Sequence, residues 1–108
     1  MAEYILKLAE RFSPYPAGRY RSDGKLSGEV FRDDFLLPLY KEHGKINICI
    51  DDVATLPSSF WEEVWGGLVR LGYSKEEVKE NFSASTNEAE LEDYIALVDK
   101  FIKEAKKG

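Results

Sequence analysis

The sequence has few of the residues on which several protein classes depend. Its 108 residues include one cysteine and one histidine, and a single cysteine excludes an internal disulfide framework. No apolar run approaches the roughly 20 residues of a membrane-spanning helix, and no charged and apolar leader opens the chain. These absences favour a protein of a reducing cytoplasm without a membrane partner.

An excess of basic residues is also lacking. The chain has 15 lysines and arginines against 20 aspartates and glutamates, a formal net charge of −5, which argues against nucleic acid as the main partner. The hydrophobic fraction of 44% and the aromatic fraction of 13% are typical of a globular protein. We therefore expect one domain over residues 1–108 that binds no nucleic acid.

The hydrophobic periodicity of the first half predicts strand, loop, helix and strand. Alternating residues predict a strand over 3–9, and a loop rich in glycine, proline and arginine follows. A repeat of four residues predicts a helix from Ser27 to His43, in which Pro38 should cause a kink or an early stop. An apolar run predicts a strand over 45–51 that is covered on both faces.

The second half continues with a long helix that ends at Gly72, a short helix over 75–80 capped by Ser74, a strand over 82–85 and a last helix capped by Asn87.

Phe60, Trp61 and Trp65 form the apolar stripe of the long helix. Because this stripe is wider than packing on one sheet needs, Phe60 and Trp61 could also contact a partner. The order of elements predicts an α/β sandwich in which a small mixed β-sheet packs against helices.

Two serines begin the long helix. Ser59 with Glu62 matches a capping box, in which Ser59 is the N-cap, and this leaves Ser58 free. A phosphate on Ser58 would gain from the unpaired N–H groups of the helix start, whereas Asp51, Asp52 and Glu62 would repel it. Capping alone and a phosphorylation switch are both consistent with these residues.

The chain shows no catalytic constellation. A nucleophilic serine needs a base, and His43 is explained by its place at the end of a predicted helix. Cys49 lies in an apolar strand, as expected for an inert thiol. Asp51 and Asp52 are adjacent at a strand end and point to opposite faces, so we expect a polar strand terminus and no metal site. No enzyme activity and no cofactor are predicted.

A polar cluster in the first loop offers an alternative. Arg19 and Arg21 flank Tyr20, and two arginines at this spacing can bind an anion or a partner carboxylate. The N–H groups of a helix starting at Ser27 would strengthen such a site. The cluster could therefore belong to a small anion- or nucleotide-binding accessory domain, or its arginines could pair with the many acids of the domain.

Several segments resemble known proteins. The sequence from Ile50 to Phe60 is similar to the strand and Asp-Ser-Ser-Gly-Leu-like motif of STAS domains, named for sulfate transporters and anti-sigma factor antagonists. Pro57 and Phe60 stand where those domains have aspartate and glycine. The run SSFWEE, followed by GGLVR, is closer to a bacterial STAS-like family of unknown function, which residues 18–24 and 27–32 also resemble. The resemblance covers about residues 12–69.

This resemblance implies a STAS-like sandwich and a non-catalytic regulatory domain that binds another protein. In anti-sigma factor antagonists, the first serine of the pair accepts a phosphate from a partner kinase, and Ser58 occupies that position. The implied partner is a kinase-type ATPase or anti-sigma factor.

Overall fold

Three short strands form the centre of the structure, a computed structural model that describes residues 3–106. They are β1 (Tyr4–Lys7), β2 (Ile46–Cys49) and β3 (Phe82–Ser85), and they form one sheet in the order β1-β2-β3. Both pairs are parallel. The α/β class is confirmed and the mixed sheet is wrong, because helical connections return the chain to the same end of the sheet before each new strand.

Helices fill the connections between the strands. The first connection holds α1 (Leu8–Arg11), a 3₁₀ turn (Arg21–Asp23), α2 (Gly28–Val30), a π-helical segment (Phe31–Leu36) and α3 (Leu37–His43). The second holds α4 (Ser58–Arg70) and α5 (Lys75–Asn81), and α6 (Glu92–Glu104) follows β3 after a 3₁₀ turn (Ala89–Leu91). The predicted order of the strands and the longer helices is confirmed. α1 was not predicted, and it replaces the end of the strand expected over 3–9.

One continuous helix runs from α2 through the π segment to α3. The Ser27 Oγ accepts a hydrogen bond from the Val30 N–H at 3.2 Å, so the predicted start is confirmed. The predicted early stop at Pro38 is wrong, since the helix continues to His43; the alternative of a kink stays a prediction. In the π segment, the Leu37 N–H donates to the Arg32 carbonyl five residues earlier. This wider turn moves the carbonyls that would clash with the proline ring in an α-helix.

The core lies between one face of the sheet and the helices. Leu6, Ile46 and Ile48 point to this side and are fully buried. From the helices, Trp61 and Trp65 of α4 are also fully buried, and their rings meet edge to face with centroids 5.4 Å apart. Burial of large aromatic side chains supplies much of the apolar area that stabilises a domain of this size.

The other face of the sheet is exposed at its two edge strands and has a buried polar residue, Asn47, in the middle. Ile5 of β1 is 50% exposed and Ser85 of β3 is also exposed. In the middle, the Asn47 side chain donates to Ser83 Oγ at 3.0 Å and accepts from Ser85 Oγ at 2.7 Å. Asn47 is nevertheless buried, like Ile46 and Ile48, so the prediction that β2 is covered on both faces is confirmed for these three residues. On the second face, hydrogen bonds between neighbouring strands accompany this burial.

Candidate functional site

The serine pair lies at the start of α4, but its predicted capping role is wrong. The helix begins at Ser58, and Pro57 is the N-cap, without a side-chain hydrogen bond. The first backbone bond runs from the Trp61 N–H to the Pro57 carbonyl at 3.1 Å. Ser58 is exposed and Ser59 is half-buried. Ser59 cannot form the capping box with Glu62, because the helix starts two residues earlier than predicted and the Glu62 carboxylate binds arginines instead.

Asp51 has a structural role at the end of β2. Its carboxylate accepts hydrogen bonds from Thr86 Oγ1 at 2.7 Å and from the backbone and side chain of Asn87 at 2.7 and 3.2 Å. The bond from Thr86, followed by those from Asn87, lowers the pKa of Asp51. Asn87 therefore ties the loop after β3 to β2, and the prediction that it caps the last helix is wrong.

Asp52 adopts the left-handed conformation with φ +69°, and its N–H donates to Glu88 Oε2 at 2.6 Å. This conformation is uncommon for residues other than glycine, although aspartate tolerates it. The two aspartates thus bind different residues, as expected for a polar strand terminus and not for a pair that shares one metal ion.

The arginines of the first loop bind different partners. Arg21 forms two hydrogen bonds of 2.9 Å to the Asp34 carboxylate, and the hydrogen bond lowers the pKa of Asp34. Arg19 points instead to Glu62 and Glu63 of α4. Tyr20 between them is 51% exposed. The two guanidinium groups do not converge on a common anion, and each is paired with acids of the same chain.

The strongest polar feature is an arginine–glutamate cluster, consisting of Arg19, Arg32, Arg70, Glu62 and Glu63. Arg70 donates to both Glu62 oxygens at 2.9 and 3.0 Å and to Glu63 Oε1 at 3.0 Å. Arg32 donates to Glu63 Oε2 at 2.6 Å and to the Glu63 carbonyl at 3.3 Å. Arg19 binds Glu62 and, at 3.4 Å, Glu63. The cluster joins the first loop, the π segment and α4.

Part of this cluster lies inside the protein. Arg32 is 4% exposed and Glu63 is 5% exposed, a position where charges need partners to offset the loss of hydration. Burial by itself would raise the pKa of Glu62, but hydrogen bonds from Arg70 and Arg19 outweigh it and the pKa is lowered. Glu62 is therefore ionised at neutral pH, and the hydrogen bonds of the cluster hold its side chains in fixed positions.

Glycines make room for the cluster. A Cβ at Gly66 would collide with the Glu62 carboxylate, and a Cβ at Gly67 would collide with the Arg32 guanidinium. At Gly28, a Cβ would lie 2.5 Å from the Phe60 carbonyl, so the start of α2 packs directly on α4. The sequence already contained a signal for this cluster, because Glu63 lies between Phe60 and Gly67 on the buried side of α4.

The predicted surface role of Phe60 and Trp61 is wrong, since both side chains are fully buried. The Trp61 Nε1 donates to the Tyr94 carbonyl of α6 at 2.8 Å, and the Phe60 ring packs near those of Phe12 and Phe31. The width of the apolar stripe reflects contacts on several sides of α4. Tyr20 is the exposed aromatic residue of the predicted site.

Groups for catalysis do not gather around the serines. His43 stacks on Tyr4 with ring centroids 4.3 Å apart, and burial raises the pKa of the half-buried Cys49. Within residues 3–106, no three His, Cys, Asp or Glu side chains are placed to hold a metal ion. None of the helices in this range is long and apolar enough to cross a membrane.

The serine pair, the exposed Tyr20 and the arginine–glutamate cluster are therefore the candidate functional groups along α4, from Ser58 at its first residue to Arg70 at its last. Comparisons of the chain with protein families, with curated proteins and with solved structures found no match.

Proposed function

We propose that the protein is a non-catalytic, STAS-like regulatory module of the cytoplasm that binds another protein, and that phosphorylation of Ser58 controls this binding. The observation that carries the proposal is the exposure of Ser58 in the first turn of α4, where the N-cap Pro57 supplies no side-chain acceptor. The hydroxyl is accessible to a kinase. The partner expected from the resemblance is a kinase-type ATPase or anti-sigma factor.

The electrostatic surroundings of Ser58 favour a phosphate more than the sequence predicts. Asp51 accepts three hydrogen bonds from Thr86 and Asn87, and Glu62 is paired with Arg19 and Arg70. The charge of Glu62 is therefore offset by two guanidinium groups, whereas Asp51 keeps its negative charge because its donors are neutral. The N–H groups at the start of a helix favour negative charge, and a phosphoserine there gains charge-assisted hydrogen bonds.

The surface available to a partner differs from the one that the sequence predicts. Because Phe60 and Trp61 are buried, the partner would contact Ser58 and the loop around the exposed Tyr20, which Arg19 ties to α4. A phosphate at this position changes the charge of the contact surface without unfolding the helix. This is the property required of a switch between bound and free states.

The test is to identify the phosphorylated residue and its effect on binding. Purified protein is incubated with ATP and an extract of its source cells, and the modified residue is located by mass spectrometry. We expect phosphate on Ser58, its loss in Ser58→Ala and its retention in Ser59→Ala, the matched control. A protein captured by the unmodified chain should be released after modification. An unmodified Ser58 under conditions where the extract phosphorylates other proteins would contradict the proposal.

A further inference from the structure

The edge of the sheet at β3 has unused backbone hydrogen-bonding groups. β3 is an edge strand, and the Ser85 carbonyl faces β2, where it accepts from the Ile50 N–H at 3.0 Å. Successive residues of a strand direct their N–H and C=O groups to alternate sides, so those of Ala84 point away from β2. Both Ala84 groups lack a hydrogen-bond partner among residues 3–106.

The residues of β3 do not protect this edge against another strand. Edge strands usually avoid such pairing through charged side chains, proline or a bulge. β3 has the sequence FSAS, without charge or proline, and it pairs with β2 in a regular register from Phe82 to Ser85. The strand at the opposite edge, β1, ends at the charged Lys7, which forms an ion pair with Glu10 at 3.5 Å. The edge at β3 is therefore the one suited to pairing.

An apolar groove lies beside this edge. Its volume is about 270 Å³, and its apolar lining comes from β3 and α6, with Phe82, Ala84, Ile95, Val98 and Ile102. Paired residues of a sheet direct their side chains to the same face, so a residue opposite Ala84 on an added strand would place its side chain in the groove. Small-molecule sites usually measure about 300–1,000 Å³. The groove is smaller than these and matches one or two side chains.

A second copy of this chain does not supply such a side chain. If β3 paired with the β3 of another molecule, it would offer Phe82 and Ala84 to the groove. Phe82 is 3% exposed because it packs in its own core, and Ala84 is too small to fill the space. A second copy of β1 would offer Leu6, which is fully buried. The free backbone groups and the groove together thus require a strand from another protein.

We infer that the edge of β3 binds an extended segment of another protein, which adds a fourth strand to the sheet and places an apolar side chain in the groove. In this mode of recognition, main-chain hydrogen bonds supply affinity and alternate side chains supply specificity. Lys79 and Asp99, of opposite charge, also line the groove, so its net charge does not favour a charged side chain. The segment should alternate apolar residues, facing the groove, with polar residues on the side of Ser83 and Ser85. The inference goes beyond the proposed function, since none of these residues belongs to the surface around Ser58.

The experiment uses random octapeptides displayed on phage and selected on the purified protein. We expect the selected peptides to alternate apolar and polar residues, and their dissociation constants are measured by fluorescence polarisation. Ala84→Leu fills the groove and should weaken binding by about tenfold or more. Ala96→Leu is the matched control, because it makes the same change at an exposed residue of α6 that does not line the groove, and it should leave binding unchanged.

A second measurement uses the native residues and does not depend on a folded variant. In the free protein, NMR should show that the Ala84 N–H exchanges with deuterated water faster than the Ser85 N–H, which faces β2. A bound peptide should protect the Ala84 N–H, and N-methylation of the peptide at alternate residues should abolish binding.

Three results would overturn the inference: a selection that yields no peptide, peptides that bind Ala84→Leu as tightly as the wild type, or an Ala84 N–H that a bound peptide does not protect. Dimerisation of the purified protein with the Ala84 N–H already protected would also overturn it, by identifying a second copy as the occupant. Ser58→Ala should bind the peptides like the wild type, so these results are independent of the proposed switch.

Discussion

Replacing Gly67 by alanine tests whether the adjacent glycines of α4 exist to accommodate charges. The added Cβ would collide with the Arg32 guanidinium and lie 2.9 Å from Glu63 Oε2. Both side chains are buried and cannot move into solvent, so the substitution breaks a buried ion pair, which costs about 3–5 kcal/mol. Alanine returns about 1 kcal/mol through its higher helix propensity. We expect a net loss of about 2–4 kcal/mol in the free energy of unfolding.

Gly66→Ala is the matched comparison, because it makes the same chemical change one residue earlier. Its Cβ would meet the ends of the Glu62 and Arg70 side chains, which are partly exposed and can swing outward. A partly exposed pair is worth about 0–1 kcal/mol, and the gain in helix propensity offsets it. We therefore expect stability within about 1 kcal/mol of the wild type.

Urea denaturation followed by the fluorescence of Trp61 and Trp65 measures both variants, since these side chains are buried only in the folded state. Equal m-values are needed for the midpoints to be compared as stabilities. A Gly67→Ala protein as stable as the wild type would refute the reasoning. The reasoning would also be refuted if Gly66→Ala lost as much stability as Gly67→Ala. The solvent exposure of the displaced ion pair would then not determine the loss in the free energy of unfolding.

Three further predictions concern single side chains. The pKa of Glu62 in the folded state is below its usual 4.5. Its ion pairs therefore stabilise the fold above pH 4.5, and this contribution is lost as the pH falls through the folded pKa. In urea titrations, the free energy of unfolding of Glu62→Gln should decrease less at acid pH than that of the wild type. Burial, aided by Glu77, raises the pKa of Tyr40 from 10.0 to about 12. Since the neutral phenol is favoured in the folded state, stability should fall as the pH rises from 10 to about 12, and Tyr40→Phe should abolish this loss in the same titration. Ser27→Ala removes the buried cap of α2 and should cost about 1 kcal/mol, measured by thermal unfolding, with no change for the exposed Ser22→Ala.

Local patterns predicted the elements of the fold well. The caps at Ser27 and Ser74 were identifiable because their hydroxyls bond to nearby N–H groups, at Val30 and Glu77. The direction of the strands was not predictable in this way, because it depends on where each helix returns the chain. Pro38 was misleading for a related reason. The energetic cost of a proline inside a helix depends on the hydrogen-bonding pattern of the turn before it. The sequence alone did not reveal that this turn is π-helical.

The candidate site was predicted less completely than the fold. The sequence identified Ser58 as free but missed the role of Glu62. A capping box is a local pattern, whereas the partners of Glu62 are Arg19, which is distant in sequence, and Arg70, which lies eight residues later on α4. Arg19 and Arg21 were grouped because they are close in sequence. Their partners lie on different elements, and only the tertiary structure separates Arg19, which binds Glu62 and Glu63 of α4, from Arg21, which binds Asp34.

The π segment between α2 and α3 has a consequence for how this chain can vary in length. A π turn holds one residue more than an α turn, so the two ends of the helix are rotated by about 100° relative to a regular α-helix. In this arrangement Gly28 and Arg32 face α4, while Tyr40 reaches Glu77 of α5 at 2.9 Å. Deleting one residue between Phe31 and Leu36 would turn one end away from its neighbour. Related sequences should therefore tolerate insertions and deletions in the loops but keep the length of this helix.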